Sequence, residues 1–208
     1  MDECSMVIRR KKLEVVLSKV RPYPAPRVAL EQYVTPCEIA AALLHTAAYA
    51  FSDIVNRSVC DFGCGTGTLA IGASYLGAKE TVGIDVDKTA VSVAKDTSKK
   101  LGLDVDWVVG DIALISGIFD TVLENPPFGV KRRGADMAFL KKALETSKVV
   151  YTMHKSGENN RRFIKNVVEE NRGKISAVIE SRLKLPHSFL FHKKPQYEVK
   201  IDIYRIVR

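Results

Sequence analysis

The sequence predicts an α/β fold built on a seven-stranded, mostly parallel sheet with helices on both faces and an antiparallel last strand. Two observations support this prediction. From residue 57 onward, short β-branched runs alternate with segments of helical periodicity, as in sheets whose parallel strands are joined by helices. Only residues 185–196 separate the last two strands, too few for a helical crossover, so the final strand should run antiparallel to its predecessor.

The first 29 residues are expected to form a short helix and a proline-rich linker, ahead of a main domain at 30–208. Apolar residues from Leu13 to Val20 recur three and four positions apart, which gives a helix one buried face. Prolines at alternate positions from 22 to 26 end that helix, because proline lacks the backbone N–H that a helix needs.

A second helix is expected to begin at Pro36, with the Thr35 hydroxyl as its cap, and to run to about Tyr49. The seven strands are predicted at 58–62, 81–85, 105–109, 119–124, 148–153, 175–182 and 197–206. The remaining helices are predicted at 67–76, 88–101, 136–147 and 160–171.

Composition indicates one well-filled globular domain: the 208 residues are 27% charged and 46% hydrophobic. No apolar run is long enough to span a membrane, and the N-terminus lacks the pattern of a signal peptide, so no membrane association is expected. The four cysteines lack metal-binding spacing, which predicts free thiols in a reducing, cytoplasmic environment and no metal site. The net charge of +8 permits a nucleic-acid partner without requiring one.

A glycine-rich turn follows the strand at 58–62 and opens a helix. Gly63, Gly65 and Gly67 alternate with other residues, so the backbone can approach a ligand closely at the carboxyl edge of the sheet. The dinucleotide fingerprint needs glycine where the chain has Thr68, which disfavours a nicotinamide enzyme. Asp61 would repel a pyrophosphate, whereas it suits a cationic aminoacyl-sulfonium group.

Two more carboxylates follow the next two strands. Asp85 ends the second strand of the main domain, where it can accept hydrogen bonds from both ribose hydroxyls. Asp111 follows the third strand and can bond an adenine amino group. A single carboxylate in such a place more often caps a strand end. Three at consecutive strand ends, beside a glycine turn, favour a ligand site.

The motif Asn125-Pro126-Pro127-Phe128-Gly129 follows the fourth strand. Two successive prolines fix φ and keep the chain extended, so this turn is stiff. It presents a carboxamide, a carbonyl and an aromatic face, which suit the exocyclic amino group of a planar base. Taken alone, the motif also fits an ordinary proline-rich strand exit.

These residues together resemble the class I S-adenosylmethionine-dependent methyltransferases, which have a Rossmann-like fold. The Asn-Pro-Pro-Phe form is similar to that of amino-methyltransferases acting on N6 of adenine, N4 of cytosine, N2 of guanine or a glutamine amide. More narrowly, the segments at 31–36, 125–129, 135–140, 154–156 and 191–194 resemble the methyltransferase-like protein 5 family. That family makes N6-methyladenosine in small-subunit ribosomal RNA.

The resemblance implies S-adenosyl-L-methionine as cofactor, with the segment from Gln32 to Thr35 lying against it. The residues expected to bind it are Gln32, Tyr33, Thr35, Asp61, Gly63, Gly65, Gly67, Thr68, Asp85, Asp111, Ile112 and Asn125. Eukaryotic members work with a small zinc-binding activator subunit, which makes such a partner a further expectation. This chain differs from them in a longer N-terminus and a basic loop at 131–133.

Three loops at the same edge of the sheet, at 129–134, 154–157 and 186–196, hold six Lys or Arg and no acidic residue. This charge lies where a phosphate backbone would run, and interleaved phenylalanines can stack on unpaired bases. The residues expected to contact a structured RNA are Lys131, Arg132, Arg133, His154, Lys155, Phe191, His192, Lys193 and Lys194.

The sequence therefore predicts methyl transfer to adenine N6 in structured RNA, with small-subunit ribosomal RNA as the expected substrate. The expected catalytic residues are Asn125, Pro126, Pro127 and Phe128. Asn125 and the carbonyl of Pro126 would accept the two amino hydrogens, and Phe128 would stack on the flipped-out base. Three alternatives stay open: guanine N2 in ribosomal RNA, a protein glutamine, or a non-catalytic RNA-binding module that kept the fold.

Overall fold

The computed structural model describes residues 7–129, 134–186 and 196–208. Its helices are α1 (Arg10–Leu17), α2 (Cys37–Tyr49), α3 (Thr68–Tyr75), α4 (Lys88–Leu101), α5 (Ala135–Thr146) and α6 (Glu158–Glu170). Its strands are β1 (Ser58–Phe62), β2 (Glu80–Asp85), β3 (Asp106–Val109), β4 (Phe119–Glu124), β5 (Ser147–Lys155), β6 (Lys174–Pro186) and β7 (Gln196–Val207). None of the helices in these ranges is both long and apolar enough to cross a membrane.

All seven strands form one sheet in the order β3-β2-β1-β4-β5-β7-β6. The pairs among β1 to β5 are parallel, whereas β7 lies antiparallel between β5 and β6. The predicted fold class, including the antiparallel last strand, is therefore confirmed. Register brings Glu124 at the end of β4 level with Phe62 on β1 and Thr152 on β5, so the carboxyl ends of neighbouring strands meet at one edge.

Helices cover both faces of this sheet and bury two hydrophobic clusters. On β5, Val150 belongs to the cluster packed by α5 and α6, and its neighbour Tyr151 belongs to the cluster packed by α1, α2 and α3. Successive residues of a strand point to opposite faces, so the two clusters lie on opposite sides of the sheet. Each fully buried large apolar side chain contributes roughly 1.5–3 kcal/mol, and both layers hold many of them.

The N-terminal helix α1 is packed on this core through Leu13 and Leu17, which are almost fully buried. It ends at Leu17, three residues earlier than the apolar stripe predicted. The division of the chain into 1–29 and 30–208 stays a prediction.

The predicted start of α2 is wrong in one respect. The helix begins at Cys37, the cap position is taken by Pro36, and no side chain caps it. Thr35 instead turns its hydroxyl toward Asn125 at the end of β4. Local sequence rules assign the Thr35 hydroxyl to the helix cap, but it accepts a hydrogen bond from Asn125 instead.

Candidate active site

A cavity of about 840 Å³ opens at the carboxyl ends of β1, β2, β3 and β4. This is where ligands bind in open α/β sheets, and the volume lies within the range of roughly 300–1,000 Å³ common for small-molecule sites. The sequence-predicted residues that line it are Gln32, Tyr33, Thr35, Asp61, Gly63, Thr68, Asp85, Asp111, Ile112, Asn125 and Pro127. Of the other predicted residues described here, Gly65, Gly67, Pro126 and Phe128 do not line it.

The glycine turn between β1 and α3 has its backbone in the left-handed region. Gly65 has φ +54° and Gly67 has φ +91°, values that side-chain-bearing residues rarely adopt. A β-carbon on Gly65 would overlap the Tyr23 hydroxyl, and one on Gly67 would overlap the Trp107 ring. These glycines therefore let the turn form and let other side chains pack tightly over it.

Asp61 lies at the end of β1 and is only 2% exposed. One carboxylate oxygen accepts the backbone N–H of Ala70 in α3 at 2.9 Å. Burial raises the pKa of Asp61 to about 8, with the nearby Asp85 adding to the effect and the Ala70 bond opposing it. A cation placed in the cavity would favour ionisation of this carboxyl.

Asp85 ties the end of β2 to the glycine turn. One of its oxygens accepts the N–H of Gly65 at 2.9 Å and the other accepts the N–H of Asp87 at 2.8 Å. Burial raises its pKa in spite of these bonds. Each carboxylate oxygen can accept more than one hydrogen bond, so acceptor capacity remains for ligand hydroxyls.

Asp111 combines two roles at the end of β3. Its side chain accepts the N–H of Ala113 at 2.9 Å and so caps the short turn Ile112–Leu114. The residue is exposed and lines the cavity beside Ile112. The strand-end cap that is common for such aspartates is present here, and it leaves the carboxylate at the cavity wall.

The Asn125 carboxamide is held in one orientation by two side chains from the segment before α2. The Tyr33 hydroxyl donates to Asn125 Oδ1 at 2.8 Å, and Asn125 Nδ2 donates to Thr35 Oγ1 at 2.9 Å. Burial raises the pKa of Tyr33, so its hydroxyl stays a donor at neutral pH. A carbonyl oxygen has two lone pairs, so Asn125 Oδ1 can accept a second hydrogen bond from a substrate.

Phe128 lies outside the large cavity, in contact with two other side chains. Its ring stacks on Tyr33 with 5.8 Å between centroids and an interplanar angle of 29°. The Lys155 ammonium lies 5.2 Å from the centroid of the same ring. The Asn-Pro-Pro-Phe motif thus contacts both the segment before α2 and the end of β5.

One cavity residue, Tyr23, was missed by the sequence predictions. It comes from the proline-rich linker, lines the cavity, and sits with its hydroxyl against Gly65. Burial and the neighbouring Asp85 raise the pKa of this phenol. The two prolines that flank Tyr23 were a usable signal, because they stiffen the segment that presents it.

Polar contacts with α4 and its cap residue hold the segment from Arg21 to Gln32 in place beside the cavity. Arg21 pairs with Asp96 at 3.1 Å. Gln32 accepts the backbone N–H of Arg27 at 2.7 Å and donates to Asp87, the cap residue of α4, at 2.8 Å. Gln32, predicted to bind the cofactor, therefore also anchors this segment.

Of the predicted RNA-contacting residues, the structure describes two, His154 and Lys155. His154 is 3% exposed, lies 2.8 Å from the Thr152 hydroxyl, and has a pKa lowered by burial to about 4, so it is neutral. Lys155 is half-buried and lies beside Phe128, outside the lining of the large cavity. The others lie outside the described residues: Lys131, Arg132, Arg133, Phe191, His192, Lys193 and Lys194.

Glu124, directly before the Asn-Pro-Pro-Phe motif, is a buried carboxyl that the sequence predictions also missed. It is fully buried, and neither side-chain oxygen has a hydrogen-bond partner among the described residues, although Thr152 lies close enough to influence its pKa. Burial raises its pKa to about 8. At neutral pH this residue is mostly protonated and uncharged.

Comparisons with known proteins agree with this geometry. The family model described as methyltransferase small domain matches residues 37–158. The chain is 37% identical to the rRNA N(6)-adenosine-methyltransferase METTL5 of Danio rerio, covering 95% of this chain and 98% of that protein. It is 38% identical to an uncharacterized protein of Methanocaldococcus jannaschii, covering 96% and 94% of the two chains. A solved structure from Pyrococcus horikoshii, described as a proposed RNA methyltransferase, has 38% identity and a TM-score of 0.90, covering 98% and 99%.

Proposed function

Because this chain belongs to the methyltransferase small domain family, we propose that it methylates N6 of an adenosine in structured ribosomal RNA, small-subunit RNA in particular. The chain is a methyltransferase, and S-adenosylmethionine is its methyl donor. The observation that supports the proposal most is the Asn125 carboxamide, held by Tyr33 and Thr35 at the wall of a cofactor-sized cavity. Relatives named rRNA N(6)-adenosine-methyltransferases align over nearly its whole length.

The residues of the cavity fit S-adenosylmethionine, which supplies a methyl group activated by a sulfonium. Asp61 is a buried carboxyl that gains from a positive charge in the cavity. Asp85 retains acceptor capacity for ribose hydroxyls, and Asp111 lines the cavity as an acceptor for an adenine amino group. We propose these three carboxylates, with Gln32 and the Gly63 turn, as the cofactor-binding set.

The acceptor amino group would be held by the motif after β4. Its nitrogen is a weak nucleophile because its lone pair is delocalised into the ring. Asn125 Oδ1 and the Pro126 carbonyl accept its two hydrogens, which favours a pyramidal nitrogen whose lone pair can attack the methyl carbon. Bound S-adenosylmethionine would supply the methyl group and keep the electron pair of the broken S–C bond, and the acceptor nitrogen would release one proton to solvent. Positioning by these residues accounts for the rate, and no strong base is needed.

We propose RNA as the acceptor because the chain is basic and a basic run, Lys131 to Arg133, follows the motif closely in the sequence. The whole chain carries a net charge of +8, and Lys155 lies beside Phe128. Neutralising phosphates with Lys and Arg releases counterions and supplies much of the affinity for a nucleic acid. A glutamine side chain would gain nothing from such a surface.

We also propose that a small zinc-binding activator subunit docks on the β3 edge of the sheet. Strand β3 and the segments that follow β2 and β3 expose several large apolar side chains: Val86, Val108, Val109, Leu114 and Ile118. Leu114 is 81% exposed and Ile118 is 67% exposed, and an apolar group of this kind beside an unpaired strand is typical of interaction surfaces. Ile118→Lys should prevent co-purification with such a subunit and leave the fold intact.

A cytoplasmic location is part of the proposal. Cys37, Cys60 and Cys64 are free thiols, as expected for a protein in a reducing compartment.

The proposal is tested by transfer of tritiated methyl groups from S-adenosylmethionine to total RNA and to purified ribosomal subunits, followed by nucleoside analysis. We expect label in N6-methyladenosine of the small-subunit RNA. Label in N2-methylguanosine would contradict the choice of base, and label confined to protein would contradict RNA as the acceptor. Calorimetric binding of S-adenosylmethionine without transfer to any fraction would instead favour a binding module that kept the fold.

A further inference from the structure

A second, smaller cavity of about 190 Å³ lies beside Phe128 of the catalytic motif. Asn125 and Pro127 line the large cavity, whereas Phe128 lines the small one. Asn160 and Phe163 on α6 also line the small cavity. The motif therefore borders both the site that fits the cofactor and this second cavity.

The size of the second cavity suits one aromatic heterocycle. It is far larger than the roughly 10–15 Å³ that a single water requires. It is also below the roughly 300 Å³ at which sites for whole drug-sized ligands begin. A ring system with its remaining atoms outside, such as a base attached to a polynucleotide, matches these limits.

Two aromatic rings line this cavity from different elements. Phe163 is 54% exposed, although the residues of α6 that face the core, such as Ile164, are buried. Phe128 is half-buried and already has Tyr33 stacked against it. An exposed phenylalanine that lines the same cavity as a second phenylalanine offers a ring on which a base can stack.

The polar lining of the cavity matches the edge of a base and the phosphates beside it. Asp136 and Asn160 offer hydrogen-bonding groups, and Asn160 is fixed by donating to the carbonyl of Lys155 at 3.0 Å. The Lys155 ammonium lies at the Phe128 ring, where an entering base would displace it toward a phosphate. Arg161 is already bonded to Glu180 and Asp202, whereas Lys155 has its ammonium beside the cavity and can bind a phosphate of the substrate.

We propose that this cavity, the base pocket, receives the acceptor base of the RNA, which stacks between Phe128 and Phe163 with its amino group turned toward Asn125. The inference rests on the proposed function. It assigns α6, through Phe163 and Asn160, a part in substrate binding that the sequence motifs do not indicate. Lys155 then binds the backbone phosphate next to the flipped base.

The test compares three variants at Phe163 in steady-state methylation of ribosomal RNA by the full chain. Phe163→Leu keeps apolar bulk and loses the ring, Phe163→Tyr keeps the ring, and Phe163→Ala removes both. We expect the KM for RNA to rise about tenfold in the leucine and alanine variants, the KM for S-adenosylmethionine to stay within about twofold, and tyrosine to behave as wild type. Val15→Ala, at a similarly exposed apolar residue on α1, is the matched control.

An unchanged KM for RNA in Phe163→Leu would overturn the base pocket, and so would an equal loss in the leucine and tyrosine variants. The leucine and tyrosine variants decide the matter if the alanine variant proves unstable. Wild-type activity separates the two proposals. If the wild type methylates RNA and the Phe163 variants have an unchanged KM for RNA, only the base pocket is contradicted. If the wild type does not methylate RNA, the proposed function is contradicted as well.

Discussion

Binding of S-adenosylmethionine should tighten markedly between pH 6 and pH 8, because Asp61 must lose a proton to face a cation. The carboxyl is 2% exposed and accepts the N–H of Ala70, and burial raises its pKa to about 8. In the empty protein at pH 6 it is therefore almost wholly protonated. A cationic ligand binds best to the ionised form, so it has to displace that proton.

The size of the effect follows from the ionised fraction. With a pKa of about 8, this fraction is about 1% at pH 6 and about half at pH 8, so the affinity should rise about 50-fold over that range. A unit charge about 4 Å away is worth ~4 kcal/mol at an effective dielectric constant of about 20, enough to keep the carboxylate ionised in the complex. Above pH 8 the gain levels off, since the carboxyl is then ionised before the ligand arrives.

Isothermal titration calorimetry at pH 6, 7 and 8 measures this dependence, and two buffers of different ionisation enthalpy count the protons released. Asp61→Asn is the control, because the amide keeps the shape of the side chain and cannot ionise. The amino group of the ligand titrates in both proteins alike and cancels in the comparison. A flat pH dependence in the wild type, or the same slope in Asp61→Asn, would refute the reasoning.

Three further predictions concern side chains around the same site. Glu124→Gln should raise the melting temperature at pH 8, by about 2–4 °C for each kcal/mol gained, and leave it nearly unchanged at pH 4, as differential scanning calorimetry would measure. Tyr33→Phe should lower kcat about tenfold and leave the Kd of S-adenosylmethionine unchanged, because it frees the Asn125 carboxamide. Tyr23→Ala should weaken cofactor binding about tenfold by removing the side chain that covers Gly65, as calorimetry would show.

The sign of the Glu124 effect follows from its pKa of about 8, which lies above the ordinary value. The contribution of Glu124 to stability is complete below the pKa of the unfolded chain and is lost as pH rises through the pKa of the folded protein. Glutamine does not ionise, so the variant does not lose stability in this way. A lower melting temperature for Glu124→Gln at pH 8 would contradict this account. Loss of cofactor affinity in Tyr33→Phe, or unchanged affinity in Tyr23→Ala, would contradict the other two.

Much of the fold follows from local patterns in the sequence. The strand predicted at 119–124 is observed as Phe119–Glu124, because its apolar run and the prolines after it are both local signals. Asp61 and Asp85 line one cavity because parallel strands end at the same edge, a relation that strand–helix alternation already implies.

Contacts between distant segments could not be read from the sequence. Thr35 has the local pattern of a helix cap, yet its hydroxyl bonds Asn125, 90 positions further along the chain. Tyr23 lies in a linker, and only the folded chain brings it over Gly65. Glu124 is the last residue of its strand, directly after Leu123, and a sequence pattern does not tell a buried carboxyl from a solvated one. The surroundings of these side chains come from distant parts of the chain, and the hydrophobic periodicity of a single segment does not encode them.

The central claim is that Asn125 acts chiefly on the acceptor and contributes little to the affinity for the cofactor, whose cavity it also lines. Asn125→Ala, measured for S-adenosylmethionine binding by calorimetry and for methyl transfer to ribosomal RNA, tests this most directly. We predict a Kd within about threefold of wild type and a loss of at least about 100-fold in turnover, since the amino group would lose the acceptor that orients it. Loss of cofactor binding together with turnover would contradict the claim, as would methyl transfer at the wild-type rate.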